Sequence, residues 1–446
     1  MSLYKEAEQF LVSVGSKPNG GSLQNRIFEA SNNKKIKSNP KQVYALVVST
    51  LKFKPYIQEI VKKSKILKVE TKLNERLCLL LVHDLLFTKN GRIQCGKHPL
   101  KDSVLRHKTR LNAEFIKLKL KHKVTDINEL EVGDIVDKDQ TPVRWFRCNT
   151  IKTTAESLLK EFQHLTRVYS IEELKLGTIY HDIYIPNLFG VFPREKITNT
   201  DAYLKGRLII QDRASCFPAY ILNPKPNIDK VIDACAAPGN KTTHLASILQ
   251  NVPGSIIAFE KDVKRAKILK TMCDKAGGLK CISVQQGDFT SVNPLDYPEI
   301  TGFVVDPSCS GSGIFGRALY DDDSEQDLKE EIDENRLIKL SGFQFKIVKH
   351  ALSFPNARKL VYSTCSIHAQ ENERVVIDLL RDPDVIKNGW TLSTREDVIP
   401  TWERRGFVEE FSSFGEDAVK LAGGCIRSLP KIDGGIGFFA ACFEKK

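Results

Sequence analysis

At 446 residues with 41% hydrophobic side chains, the chain can fill two to four domains with real cores. Its longest apolar runs, such as residues 77–82, fall far short of the roughly 18 residues of a membrane span, and eleven cysteines scattered without CxxC pairs fit reduced thiols better than a disulfide scaffold or a zinc module. The net charge of +12 is segregated, with 26 Lys and Arg against 11 Asp and Glu in residues 1–130 and 41 against 44 in the rest.

A localised basic excess is an electrostatic footprint for a polyanion. A solvated helical surface is the bland explanation, but solubility alone does not require the charge to be gathered at one end, so a nucleic acid is the favoured partner. The start, Met1-Ser2-Leu3-Tyr4-Lys5-Glu6, lacks a charged-then-apolar signal pattern, and its early acid argues against a mitochondrial presequence. The expected setting is therefore cytosol or nucleus.

In chain order, the spacing predicts a first helix over Leu3–Val14, then polar turns at Pro18-Asn19-Gly20-Gly21 and Asn32-Asn33-Lys34-Lys35. Val43, Leu46, Val47 and Leu51 share one helical face, and two further helical stretches follow at Tyr56–Leu67 and Lys72–Phe87. Pro99–Lys123 reads as one long basic helix. Residues 1–125 thus form an all-α basic domain; its few aromatics favour phosphate contacts over base stacking. Residues 126–142 are acidic and turn-rich, a connector. Residues 143–205 read as a small α+β module, with strands at Val143–Arg147, Tyr180–Ile185 and Gly190–Phe192 and a helix at Thr154–Phe162. Its size suits an RNA-contacting unit; the simpler alternative is an extension of the sheet domain behind it.

Residues 206–446 alternate strand and helix. Five apolar runs, Asp229–Ala234, Ser255–Glu260, Cys281–Gln285, Gly302–Asp306 and Lys359–Thr364, are separated mostly by amphipathic stretches at Lys241–Leu249, Val263–Ala276 and Arg336–Leu352. That is the pattern of an α/β, Rossmann-like, doubly wound parallel sheet. Gly434–Phe443 reads as one more strand, antiparallel at the sheet edge. The acidic stretch Tyr320–Glu334 reads as a surface insertion.

Ligands of such sheets sit beyond the carboxyl ends of the strands. The first run ends in Asp233-Ala234-Cys235-Ala236-Ala237-Pro238-Gly239-Asn240-Lys241-Thr242, a small-residue turn that lets a ligand approach the backbone. It has neither Walker nor GxGxxG spacing. Glu260 ends the second run, with Asp262 and Arg265 after it, and Gly287-Asp288 follows the third. An acid after the second strand is where this fold grips ribose hydroxyls, and Asp288 is placed to reach an adenine amino group. One such acid alone is more often a helix cap; acids after successive strands beside a small-residue turn point to an adenosine cofactor without a phosphate grip, S-adenosyl-L-methionine.

Two runs end in turns that carry cysteine: Asp306-Pro307-Ser308-Cys309-Ser310-Gly311 and Ser363-Thr364-Cys365-Ser366. Either thiol alone would be taken as a small buried hydrophobe. If the two strands are neighbours, both thiols and Asp306 converge at one rim, and a catalytic reading wins. The nine histidines show no metal-ligand spacing, so no metal is expected.

These residues resemble the motifs of the Sun family of RNA 5-methylcytosine methyltransferases: the Asp233–Thr242 turn, both cysteine turns, Gln211-Asp212-Arg213-Ala214-Ser215, and Arg147-Cys148-Asn149-Thr150-Ile151-Lys152. The resemblance covers roughly 143–446. The forms of the turns and the basic helical start look most like the eukaryotic nucleolar branch that methylates large-subunit ribosomal RNA, which implies a nuclear, nucleolar, monomeric enzyme of ribosome biogenesis. Two departures stand out: Glu260 occupies a position where Asp is usual, and Cys148 one where an apolar residue is common. The resemblance implies Cys365 as nucleophile, Cys309 as the thiol that assists breakdown of the covalent adduct, and Lys241 as the holder of Asp306. It also implies a cofactor site at Cys235, Ala236, Ala237, Pro238, Gly239, Asn240, Lys241, Glu260, Arg265, Asp288 and Asp306. The rival readings are a transfer-RNA or messenger-RNA target, or a silent RNA-binding assembly factor; the intact Cys309, Cys365, Asp306 and Lys241 argue against decay.

Overall fold

The computed structural model describes residues 1–11, 23–88, 90–124, 130, 141–314 and 326–445. The chain divides into two compact units, Met1–Gln140 with Gly316–Glu325, and Thr141–Phe315 with Gln326–Lys446. The predicted turn at 18–21 and most of the connector fall outside the described residues.

In the first unit, helices Ser2–Glu8, Leu23–Asn32, Pro40–Lys52, Lys54–Ser64 and Glu75–Leu86 pack around one apolar core. Glu75–Leu86 is buried on nearly every side from Leu77 onward, which is why it reads as a continuous apolar run. Asn39 and Asn74 cap the helices that follow them through their side chains. The long basic helix predicted at Pro99–Lys123 is two, Pro99–Arg106 and Lys108–Lys121. The break at His107 is held from outside: Glu70 accepts from Arg106 Nη2 at 2.8 Å and pairs with His107 Nε2 at 3.2 Å. Local periodicity cannot see a partner 37 residues away. Leu23–Asn32 lies where a polar loop is expected, and the chain turns after it at Lys34, whose φ is 55°.

The second unit holds two sheets. The smaller comprises β1 (Arg144–Cys148), β2 (Thr166–Val168), β3 (Thr178–His181), β4 (Leu188–Val191) and β5 (Leu208–Ile210), ordered β2-β3-β4-β1-β5. Its last strand lies beyond residue 205. This sheet is bonded into the larger one. Arg147, buried, donates to Gln211, Ser247 and Thr243 at 3.1–3.2 Å. Asn149 donates to the carbonyls of Gly206 and Ala276, and Trp145 Nε1 to that of Gly434.

The larger sheet comprises β6 (Val231–Asp233), β7 (Ile256–Glu260), β8 (Ile282–Gln286), β9 (Gly302–Val305), β10 (Lys359–Thr364), β11 (Trp390–Leu392), β12 (Cys425–Ser428) and β13 (Phe438–Lys445), with path β11-β13-β10-β9-β6-β7-β8. From β6 to β10 all pairings are parallel. The order reverses between β6 and β9, the switch point at which ligands of this architecture bind. Both faces are buried: Val304 and Val361 lie in one core, and Phe303, Val305, Leu360 and Tyr362 in the other, which explains the unbroken apolar runs. β13 is antiparallel to β10 as expected, but it is not the edge; β11 and β12 both pair with its other side. The acidic stretch expected as an insertion is in part regular structure: residues 326–334 open the helix Gln326–Leu352, and 320–325 lie outside the described residues. Among the described residues no helix is long and apolar enough to cross a membrane.

Candidate active site

Strand alternation builds the site. β9 and β10 are adjacent and parallel, with Val361 opposite Val304 and Tyr362 opposite Val305. Continuing that register past the ladder sets Ser363 opposite Asp306, and side chains two apart share a face. Asp306, Ser363 and Cys365 therefore emerge on the side of Val304 and Val361, at the carboxyl rim. Ser363 Oγ donates to Asp306 Oδ1 at 2.7 Å. Lys241, in the first turn of the helix Asn240–Ile248, donates to Asp306 Oδ2 at 2.7 Å and to Ser215 Oγ at 3.1 Å.

Cys309 Sγ and Cys365 Sγ stand 3.0 Å apart, each partly exposed. The hydrogen bond with Cys365, and then burial, push the Cys309 thiol well above its ordinary range. Two sulfurs this close cannot readily both ionise, so Cys309 keeps its proton. Burial works to lower the Lys241 ammonium, but the charge of Asp306 and its hydrogen bond, with Cys365 and Asp233 beyond, raise it overall. The rim therefore carries a stable cation next to the sulfur pair.

The two cysteine turns are tied to each other. Ser310, Ser312 and Ser366 hydroxyls lie 3.1–3.2 Å from one another. Gly313 N donates to the Cys365 carbonyl at 3.0 Å, and Gly437 N to the Gly313 carbonyl at 2.8 Å. A Cβ on Gly313 would stand 2.2 Å from the Gly437 carbonyl oxygen, so only glycine permits that approach.

Along the rim, Asp233 ends β6, and its Oδ2 accepts from Thr242 Oγ1 at 2.7 Å; burial pushes its carboxyl up to about 6. Gly239, with φ of 114°, turns the chain into the helix behind it. Glu260 ends β7, buried, accepting from Asp262 N at 2.9 Å and lying 3.4 Å from Arg265 Nη1. Arg265 also reaches the Ala237 carbonyl at 2.8 Å, linking the first two rim turns. Asp288 caps the turn Phe289–Ser291, and Lys261 and Thr290 hold its carboxyl down to about 2. The predicted residues thus lie in a row across β6, β7, β8 and β9, with the sulfur pair at β9 and β10.

Arg213, in the Gln211–Ser215 motif, is buried and engaged. It pairs with buried Asp182 at 3.0 Å and lies over the rings of Trp145 and Trp402 at 4.7 and 5.0 Å, joining the small sheet to the large one. The motifs contain Ser215, Asp233 and Ser363 without giving them a role, and residue order singles out neither Gln344 nor Glu371. Ser363 and Asp233 could have been found by counting two residues from Cys365 and by reading the strand end; Gln344 and Glu371 reach the site only through tertiary contact.

Residues 219–444 match the family described as 16S rRNA methyltransferase RsmB/F, and residues 41–130 match the N-terminal domain of NOL1/NOP2/Sun domain family member 5. The chain is 42% identical over 445 residues to the 25S rRNA (cytosine-C(5))-methyltransferase rcm1 of Schizosaccharomyces pombe, covering 99% of this chain and 91% of that protein. It is 36% identical over 463 residues to a 28S rRNA (cytosine-C(5))-methyltransferase of Mus musculus, covering 100% and 91%. The crystal structure of PH0851 superposes with a TM-score of 0.63 at 20% identity, over 100% of this chain and 98% of that one. NSun6 from Pyrococcus horikoshii with SFG superposes with a TM-score of 0.50 at 18% identity, over 72% and 95%. At those identities the two structures speak to the fold.

Proposed function

This chain belongs to the RsmB/F and Sun-type family of ribosomal-RNA cytosine-C5 methyltransferases, and from that premise we propose how its own residues divide the reaction. It is an S-adenosyl-L-methionine-dependent enzyme of large-subunit ribosomal RNA. The observation that carries the assignment of roles is the sulfur pair at 3.0 Å on adjacent strands beside the 2.7 Å Lys241–Asp306 pair.

Carbon 5 of cytosine is a poor nucleophile. Addition of the Cys365 thiolate to carbon 6 converts the ring to an enamine whose carbon 5 can accept a methyl group. Asp306, steadied by Lys241 and Ser363, faces ring nitrogen 3 and the exocyclic amine and supports that addition. Cys309 assists loss of the carbon 5 proton and release of Cys365. A base inside a helix is out of reach, so the target cytosine enters looped or flipped.

The rim fits the cofactor. Among the described residues, Asp233 Oδ1 and Asn240 Oδ1 are buried without hydrogen-bond partners and nothing lies within 4 Å of where a Gly287 Cβ would be, while carboxylates stand at or just after the ends of successive strands. S-adenosyl-L-methionine supplies an electrophilic methyl group when bound. Cys235, Ala236, Ala237, Pro238, Gly239, Asn240 and Lys241 would line it through the first turn, Glu260 would take its ribose hydroxyls, Asp288 its adenine end, and Arg265 and Asp306 would flank it. Removing a charged hydrogen bond of this kind costs about 2 kcal/mol, so Glu260→Ala should weaken S-adenosylhomocysteine roughly thirtyfold by calorimetry. An unchanged affinity would remove Glu260 from the site.

We further propose that residues 1–125 hold flanking RNA by its phosphates and that the small module contacts it too. Lys108, Arg110, Lys117 and Lys121 are exposed on one basic helix. RNA affinity should fall steeply with salt, and Lys108→Glu with Arg110→Glu should lower the slope of log K against log salt by about 0.7 to 0.9 per lost contact. A flat salt response would contradict this part. The proposed working unit is a monomer, because thiols, cofactor turn and basic surface come from one chain; the proposed place of action is the nucleolus. Bisulfite sequencing of large-subunit ribosomal RNA, with and without the protein, tests the whole: one cytosine should lose its protection when the protein is absent.

A further inference from the structure

Glu371 is completely buried beside the catalytic thiols, and among the described residues no cation pairs with it. Its Oε1 accepts from Ser310 N at 2.8 Å and from Gln344 Nε2 at 3.0 Å. The same Gln344 amide donates to the Ser308 carbonyl at 3.1 Å. The backbone is therefore gripped on both sides of Cys309, at the carbonyl before it and the amide after it. The grip is anchored to the other thiol's strand. Tyr362 OH, on β10, donates to the Glu371 carbonyl at 2.5 Å. The next residue, Asn372, accepts from Thr364 Oγ1 at 2.5 Å and donates to the Ser366 carbonyl at 3.0 Å, on either side of Cys365. One short turn, Ala369–Glu371, thus indexes both sulfurs against each other. Burying a carboxylate without a cation is destabilising, so a residue of this kind at this point asks for a role in the chemistry.

We propose that Glu371 is the positioning residue of the release step, with Gln344 as its brace: the Ser310 amide bond holds the Cys309 turn so that its thiol meets the adduct formed by Cys365. This rests on the division of roles proposed above. Proteins carrying Glu371→Ala and Glu371→Gln are compared with wild type and with Cys309→Ala, each incubated with cofactor and an RNA containing the target cytosine. The fraction of enzyme shifted to a slow band on denaturing gels is measured with turnover. Misplacement by a fraction of an ångström is enough to slow release, so Glu371→Ala should turn over about tenfold to a hundredfold more slowly, with enzyme accumulating in the slow band. Glu371→Gln keeps an acceptor for Ser310 N and should restore release, which a change in overall folding would not do. Wild-type release by Glu371→Ala overturns the proposal, as does slow turnover without the band, or equal trapping by both variants. If Glu371→Ala does not melt as a folded protein, Gln344→Ala carries the same expectation and the same refutation. Absence of the band in Cys309→Ala would instead count against the division of roles itself.

Discussion

Replacing Cys365 with alanine is expected to abolish methyl transfer while cofactor affinity and RNA binding remain. The side chain is small and partly exposed, and its loss leaves the β10 ladder and the Gly313 N bond to the residue 365 carbonyl in place. What disappears is the only atom proposed to bond to carbon 6. Without that bond carbon 5 stays unreactive, so the rate should fall by about four orders of magnitude or more, as when a covalent nucleophile is removed elsewhere. Cys309 cannot substitute, because it sits on the neighbouring turn and burial alone still pushes its thiol up. The measurement is incorporation of labelled methyl groups under single-turnover conditions. Residual activity near wild type would show that the nucleophile lies elsewhere.

Cys309→Ala should behave in the opposite sense, with chemistry starting and failing to finish. In the free enzyme Cys309 keeps its proton. Once Cys365 is consumed in the carbon–sulfur bond it no longer accepts from Cys309, so the partly exposed Cys309 can give its proton to water and, as a thiolate, take the carbon 5 proton. Loss of such a proton acceptor is worth about a hundredfold to ten-thousandfold in rate. The methylated adduct should therefore persist, visible as a protein–RNA band on denaturing gels that the double variant Cys309→Ala/Cys365→Ala does not form. Turnover at the wild-type rate, or no band, would leave Cys309 without the release role.

These two experiments probe a geometry that was only partly readable from residue order. Composition and charge segregation pointed to a polyanion, and Val- and Phe-rich runs ending in Asp306-Pro307-Ser308-Cys309 and Ser363-Thr364-Cys365 pointed to strands with a reactive rim, because buried parallel strands and small-residue turns are properties of local sequence. Helix caps at Asn39, Asn74 and Asp262 are likewise written within four residues. Tertiary structure alone decided that β9 and β10 are neighbours, that the sulfurs stand 3.0 Å apart, and that β11 and β12 cover β13. The same holds for the break at His107, Arg213 between Trp145 and Trp402, and the grip of Glu371 on Ser310. Each of these joins residues that are not neighbours in the chain, most of them dozens of positions apart, and the energy that selects such a contact resides in the packed pair and in no segment of the chain taken singly.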